Sequence, residues 1–352
     1  MLSRVLIPVG LCYFSPVGAQ VLVTGADSHL GYNLVQNLLD HGYRVRAGLR
    51  RISDPRRTAP LERLGADIVH VDIERPDMLA PVMEEIDGVF QSAALSSGHW
   101  TRDPEREIVT PTIEATLNVL AAARNAGVKR IVFTSTAAAV GKRSRRSVEE
   151  EWNDSAPNPY VRAKIEAEKR AWVFTRANDM EMVAINPSVL LGPGFHRHTQ
   201  STVTFERILR EDLPVLPPFD ASYVDVRDAA ELHRLAFENH DARGRYVASS
   251  TYAPIEQLAR IIRAIEPTLR VPSHRIPKWM MKPFALLDAM RARLRGAKRA
   301  IGDESVEEIG GVEMRCSSER ATRDLGWQPR PLEDTVADTL AWIKGTFLAP
   351  RA

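Results

Sequence analysis

The sequence predicts an α/β protein, a doubly wound parallel sheet with helices on both faces and a smaller region appended towards the C-terminus. Three observations carry that expectation. Strand-like and helix-like segments alternate from Gln20 to Asn186, and no hairpin signal interrupts them. The 352 residues, 44% hydrophobic and 26% charged, suit one large core better than two independent domains.

Taken in order, Val21-Leu22-Val23-Thr24 is a short strand, and Leu30 to Leu39 is an amphipathic helix ending near His41-Gly42. Tyr43 to Leu49, Ile68 to Val71 and Gly88 to Ser92 read as the second, third and fourth strands. A long helix from about Pro104 to Asn125 leads through Ala126-Gly127 to a fifth strand, Arg130 to Thr134. Another helix starts near Pro159, and the strand Met182 to Asn186 follows it. After Pro187 the texture changes: prolines cluster at 213–218, and 277–301 is both apolar and basic. The division expected is an extension over 1–19, a core over 20–187 and a second region over 188–346. That second region is interleaved with the core, because Tyr223 to Phe237 reads as a strand and helix returning to it.

Several classes are disfavoured. A net charge of +2 implies no nucleic-acid partner, and no apolar stretch is long enough to span a membrane. Cys12 and Cys316 lie far apart, match no metal or redox spacing, and read as unpaired thiols in a reducing compartment. Residues 1–20 resemble a short signal peptide, with Val17 and Ala19 at the cleavage positions. The first strand begins at Val21, so cleavage would leave almost no leader. An extension, or a start codon placed too early, is the preferred reading, with a cytoplasmic location.

Thr24-Gly25-Ala26-Asp27-Ser28-His29-Leu30-Gly31 joins the first strand to the first helix. A dinucleotide needs a tight turn there, so that helix N-terminal amides face its pyrophosphate. Gly25 permits the turn, Gly31 permits close helix-on-strand packing, and Ser28, His29 and Leu30 open the helix. Ser28 departs from the usual fingerprint, which has a third glycine at that position. The core is therefore expected to be of the Rossmann type. The second strand ends Leu49-Arg50-Arg51, without the carboxylate that holds a ribose 2′-hydroxyl in NAD enzymes. Arg50 suits a 2′-phosphate, so NADP(H) is the expected cofactor and NAD(H) the secondary one; Arg51 and Arg56 also fit a solvated loop. Asp72 and Ile73 follow the third strand, where adenine would lie.

Tyr160 and Lys164 stand four apart on one helix face. Carbonyl reduction needs a proton donor beside the oxygen, and an ordinary tyrosine, with a pKa of ~10, is a poor one at neutral pH. An ammonium one turn away favours the phenolate and can also hold a nicotinamide ribose. Upstream, the strand Ile131-Val132-Phe133-Thr134-Ser135-Thr136 ends in three hydroxyl residues, at the edge where open parallel sheets bind ligands. Cradle, hydroxyl strand and Tyr-Lys helix occur in the order one fold requires.

These segments resemble the extended short-chain dehydrogenases/reductases, and within them the dihydroflavonol-4-reductase-like and cinnamoyl-CoA-reductase-like enzymes. The resemblance runs from Val21 to Ile343 and includes Asp87-Gly88-Val89-Phe90-Gln91-Ser92-Ala93-Ala94, Ile185-Asn186-Pro187-Ser188, Tyr223-Val224-Asp225-Val226-Arg227-Asp228 and Leu325-Gly326-Trp327-Gln328-Pro329. It implies Thr136, rather than Ser135, as the catalytic hydroxyl, with Tyr160 and Lys164 beside it. It also places Ala93 and Pro187 against the cofactor and Arg50 at its 2′-phosphate. Gln91 stands where many members have His, and Thr112 where many have Asn, which suggests a proton relay through water. A monomer or homodimer is implied.

The substrate expected is a small-molecule carbonyl or alcohol, bulky and hydrophobic, because Trp279, Met280, Met281, Phe284, Leu286, Leu287 and Met290 crowd one segment. The same segment reads as a core or lid helix. Followed by Arg291, Arg293, Arg295, Lys298 and Arg299, it also admits membrane-surface contact through 277–301. A nucleotide-sugar epimerase/dehydratase and a 3β-hydroxysteroid dehydrogenase-like enzyme are the rival chemistries. A catalytically silent NADP-binding regulator is the rival of another class.

Overall fold

The computed structural model describes residues 18–94, 103–143, 146–156, 158–197, 199–213, 215–280 and 315–348, with 283, 286 and 290 between them. Most of the expected N-terminal extension, Cys12 and most of the apolar-basic segment 277–301 lie outside the described residues.

Strand β1 (Gln20–Thr24) is followed by α1 (His29–Asp40), β2 (Arg44–Leu49), α2 (Pro55–Leu64), β3 (Asp67–His70) and β4 (Gly88–Gln91). Then come α3 (Thr110–Asn125), β5 (Arg130–Thr134), β6 (Val140–Arg143), β7 (Arg146–Trp152), α4 (Pro159–Ala177) and β8 (Glu181–Pro187). The C-terminal part supplies β9 (Val189–Leu191), α5 (Gln200–Leu209), β10 (Asp220–Asp225), α6 (Val226–Glu238), β11 (Gly244–Ala248), β12 (Thr251–Pro254), α7 (Ile255–Ile265), α8 (Glu319–Leu325) and α9 (Leu332–Ile343).

Seven strands form one parallel sheet in the order β11-β8-β5-β4-β1-β2-β3. The chain winds outwards from β1 to β3, then restarts at β4 on the other side of β1. That reversal opens a crevice at the C-terminal strand ends, where such sheets bind ligands. Alternation along the strands builds two cores. Val21, Val23, Phe90, Val132 and Val183 face α1, α6 and Trp327, while Leu22, Val89, Ile131, Phe133 and Met182 face Val119, Leu120 and Ala171 on α3 and α4. A third core, including Leu191, Phe205, Tyr223, Leu258, Val336 and Leu340, joins the small sheet β12-β10-β9 to α5, α7 and α9.

Three features differ from the expectation. The helix before Asn125 opens with a wide π turn, Glu105–Val109, because Pro111 has no amide to donate and its ring crowds the preceding turn. β6 and β7 form an antiparallel ribbon, although their charged sequence shows no hairpin pattern; Arg245 binds the carbonyls of Glu149 and Glu151 from outside it. Tyr223–Asp225 pairs with β9 and β12 rather than joining the large sheet. α6 does return to the core, against α1, and β11 completes the large sheet.

Gly88 marks the tightest strand–helix approach. A Cβ there would lie 2.1 Å from the ring of Phe237, which is itself wedged against Phe90 and Tyr43. Gly88→Ala should therefore lower unfolding free energy by about 1–3 kcal/mol in urea titration. Unchanged stability would contradict this packing.

Candidate active site

The strand-to-helix turn is closed by contact, not by glycine content alone. Gly25 has φ +67, and a Cβ on it would lie 2.8 Å from Ala93 Cα; one on Gly31 would lie 2.2 Å from Gly25 O. Ala93 is tied down as its amide donates to Thr24 Oγ1 at 3.1 Å. Ser28 has an extended backbone, φ −97 and ψ 167, so this position does not require glycine. Its Oγ instead caps α1, accepting from Gly31 N at 3.0 Å.

Gly25, Ser28, Arg50, Asp72, Ile73 and Ala93 line one cleft of about 350 Å³ at this end of the sheet. The cleft also takes in Asp27, Arg51, Arg57 and Arg197. Arg50 reaches it from an exposed position, 3.6 Å from Glu74. His29, Leu30 and Gly31 do not line it. Leu30 is buried in the core, and Gly31 packs on Gly25. The His29 ring turns towards the C-terminal region, with Nε2 3.0 Å from Gly192 O, stacked between Phe195 and Trp342. Burial holds its pKa below the ordinary value, and with two carbonyl neighbours it is the Nε2 proton that is donated. That leaves the backbone, rather than the His29 side chain, to meet a cofactor.

One strand further along, α4 carries Tyr160 and Lys164. Asn158 caps this helix, its Oδ1 accepting from Tyr160 N at 2.8 Å and Val161 N at 3.3 Å, and Pro159 occupies the first turn. The cap sets Tyr160 at the exposed end of the helix and Lys164 one turn deeper. Lys164 is 4% exposed, and its ammonium donates to Thr134 O at 2.8 Å and lies 5.4 Å from the Phe133 ring centre. Burial lowers its pKa to about 8, against the opposing pull of Glu168.

The three hydroxyls at the end of β5 are not equivalent. Burial holds His233 down to about 4, so it is neutral at pH 7; its Nδ1 donates to Ala229 O, and its Nε2 accepts from Thr134 Oγ1 at 2.9 Å. Ser135 Oγ donates to Glu168 Oε2 at 2.5 Å. Thr136 Oγ1 only accepts, from Ala138 N at 3.3 Å, as it caps the turn Ala137–Ala139. Its proton alone has no acceptor among the described residues. The same turn packs on α4, where Ala139 meets Ile165 and Val161. Thr112, the residue where an Asn is common, donates its hydroxyl to Ile108 O at 2.6 Å and is thereby taken out of any proton relay.

Sequence reasoning missed the support behind Lys164. Glu168, fully buried one turn further along α4, lies 2.8 Å from Arg245 Nε, and the Arg245 guanidinium stacks 4.0 Å from the Trp152 ring centre. The signal was the four-residue spacing Tyr160-Lys164-Glu168, whose last member reads as an ordinary surface carboxylate.

Three buried polar atoms at the same sheet edge, Gln91 Oε1, Asn186 Oδ1 and Ser188 Oγ, lack hydrogen-bond partners among the described residues. Pro187 lies between the last two. Orphaned polar atoms of this kind fit a site that receives a polar ligand, as a nicotinamide nucleotide would be. No cluster of potential metal ligands occurs among the described residues. No helix there is long and apolar enough to cross a membrane.

Comparison with known proteins agrees with this layout. Residues 21–248 match the model of the NAD dependent epimerase/dehydratase family. A cinnamoyl-CoA reductase of Medicago truncatula is 31% identical over 73% of this chain and 84% of its own length. A putative dihydroflavonol 4-reductase of Synechocystis is 28% identical over 92% and 94%. The yeast methylglyoxal/isovaleraldehyde reductase complexed with NADPH shares the fold with a TM-score of 0.74 at 23% identity, covering 93% of this chain and 98% of that one. The chain belongs to the NAD dependent epimerase/dehydratase family, the extended short-chain dehydrogenases/reductases, and is an NAD(P)-dependent oxidoreductase acting on CH–OH or C=O groups.

The shifted Lys164 has a pH signature. Its ammonium is lost as pH rises through about 8, so turnover that depends on it should fall there. The fold gains from the same titration, because between about 8 and 10.5 the unfolded chain holds a proton that the folded chain has released. Removing the Glu168 charge withdraws what favours the ammonium. Glu168→Gln should move the alkaline limb of the kcat–pH profile to lower pH; an unmoved or raised limb would contradict the coupling.

Proposed function

We propose that this chain is an NADP(H)-dependent reductase of ketones or aldehydes, reversible as an alcohol dehydrogenase, working on a bulky hydrophobic substrate. The observation that carries this reading is the selection among the β5 hydroxyls: Thr134 and Ser135 are committed to internal partners, and Thr136 retains its proton beside the helix of Tyr160 and Lys164. When bound, the nicotinamide supplies or accepts hydride at the substrate carbon. Thr136 Oγ1 donates a hydrogen bond to the substrate oxygen and polarises the carbonyl. The Tyr160 hydroxyl gives its proton to that oxygen, and the Lys164 ammonium favours the phenolate that remains. Lys164 also holds the nicotinamide ribose, with Gly25, Ser28, Ala93 and Pro187 as the backbone frame. Asp72 and Ile73 take the adenine end.

The NADP(H) preference rests on Arg50 and on the absence of a carboxylate at the end of β2, and the yeast neighbour is an NADPH complex. NAD(H) remains the secondary cofactor. The epimerase reading is weakened by its own candidates for a second diphosphate. Arg245 is buried against Glu168, and Arg275 is paired with Asp220 at 3.1 Å and Glu256 at 3.3 Å. Exposed Trp279, Leu286 and Met290 support an apolar substrate.

The test is steady-state oxidation of NADPH over a panel of ketones and aldehydes. Tyr160→Phe should lower turnover by about 10²–10⁴-fold with NADPH affinity changed by no more than about threefold. Undiminished turnover would remove Tyr160 from the chemistry. A wild-type chain that binds NADPH but yields hydride to no carbonyl would favour the silent regulator.

A further inference from the structure

Asp27 is out of place. It is a carboxylate inside a turn built for a polyanion, between Gly25 and Ser28, and it is largely buried. Two arginines from distant parts of the chain close on it. Arg57, in the first turn of α2, forms an ion pair with Asp27 Oδ2, and its Nε lies 3.6 Å from Asp54. Arg197 comes from beyond β9, in the C-terminal region. It donates to Asp27 O at 2.6 Å, lies 3.5 Å from Oδ2, and stacks 5.1 Å from the Phe195 ring centre. Donors are left over: Arg57 Nε and Arg197 Nε are buried without a hydrogen-bond partner, as are the two ring nitrogens of His196, one of which carries a proton. Arg50 and Arg51 line the same cleft.

We infer that Asp27, Arg57 and Arg197 form a phosphate-discriminating latch, in which Asp27 is a built-in rival of the cofactor 2′-phosphate for the two guanidinium groups. A phosphate dianion carries more charge and one more acceptor oxygen than a carboxylate, so it suits the unused donors better. Asp27 repels that dianion and occupies its ligands, whereas a dinucleotide with a free 2′-hydroxyl presents no such group. Arg197 thereby becomes a cofactor residue contributed by the C-terminal region, and that region is tied to the identity of the nucleotide. This inference rests on the NADP(H) reading above.

The experiment is fluorescence titration of the full chain with NADPH and with NADH, in the absence of substrate, for the wild type, Asp27→Asn, Arg197→Ala, Arg197→Lys and, as a benchmark for the 2′-phosphate, Arg50→Ala. Asp27→Asn should tighten NADPH by about tenfold and NADH by no more than about threefold, because only NADPH carries the extra dianion. Arg197→Ala should weaken NADPH by about tenfold with NADH nearly unmoved, and Arg197→Lys should restore part of the loss. Isothermal titration with adenosine 2′,5′-bisphosphate should show the same order, a readout that needs no nicotinamide. If Asp27→Asn weakens NADPH, or Arg197→Ala affects both dinucleotides equally while Arg50→Ala still separates them, the latch is wrong and the cofactor reading stands. If neither the wild type nor Arg50→Ala distinguishes the two dinucleotides, the cofactor reading fails, and the latch with it.

Discussion

A single buried ammonium organises the proposed chemistry. Lys164 must be desolvated to stand behind the first turn of α4, and desolvation disfavours its charge. The structure offsets that cost locally. Thr134 O accepts one hydrogen bond, the Phe133 ring lies beneath, and Glu168 supplies an opposite charge one helical turn away. Glu168 would be an uncompensated anion in its turn without Arg245, which Trp152 and two carbonyls of β7 hold in place. The chain of dependence thus runs from the ribbon β6–β7 and strand β11 through Arg245 and Glu168 to Lys164. A segment that looks like a charged surface loop braces the partner of a buried lysine.

Much of the frame was legible in the sequence, because it depends on local chemistry. β-branched runs, the Gly25 and Gly31 spacing and the Asn158-Pro159 start of α4 each carry their own backbone reason, and β1 to β5 and β8 fall within a residue or two of where they are expected, whereas β6, β7, β9, β11 and β12 had no local signal. The ranking of three adjacent hydroxyls was legible only through family resemblance. Its physical cause is tertiary: His233 and Glu168 arrive from α6 and α4 to consume Thr134 and Ser135. Ser28 reads as a defect in a glycine motif by sequence, whereas in the fold it is a helix cap with ordinary backbone angles. The contributions of Asp27, Arg197 and Arg245 could not be read locally, since each acts through a partner at least 30 residues away.

The C-terminal region is joined to the cofactor end by more than a chain crossing. His29 on α1 reaches carbonyls just after β9 and stacks on Trp342 of α9; Arg330 and Trp327 fasten the tail to Asp228 on α6. The cradle is therefore joined to the elements that follow β9 through packed rings, hydrogen bonds and ion pairs. This arrangement gives a physical reason why a residue of the cradle helix is spent on packing instead of facing a ligand.

The central claim is that a phenol, an ammonium and a hydroxyl meet at the reactive face of a nicotinamide ring. A crystal structure of the chain with NADP⁺ and a ketone-sized alcohol bound tests it most directly. The account predicts the alcohol oxygen within hydrogen-bond reach of both Tyr160 Oη and Thr136 Oγ1, with the Lys164 ammonium on the nicotinamide ribose. A ring seated away from the end of β5, or an alcohol oxygen bound by neither hydroxyl, would contradict it.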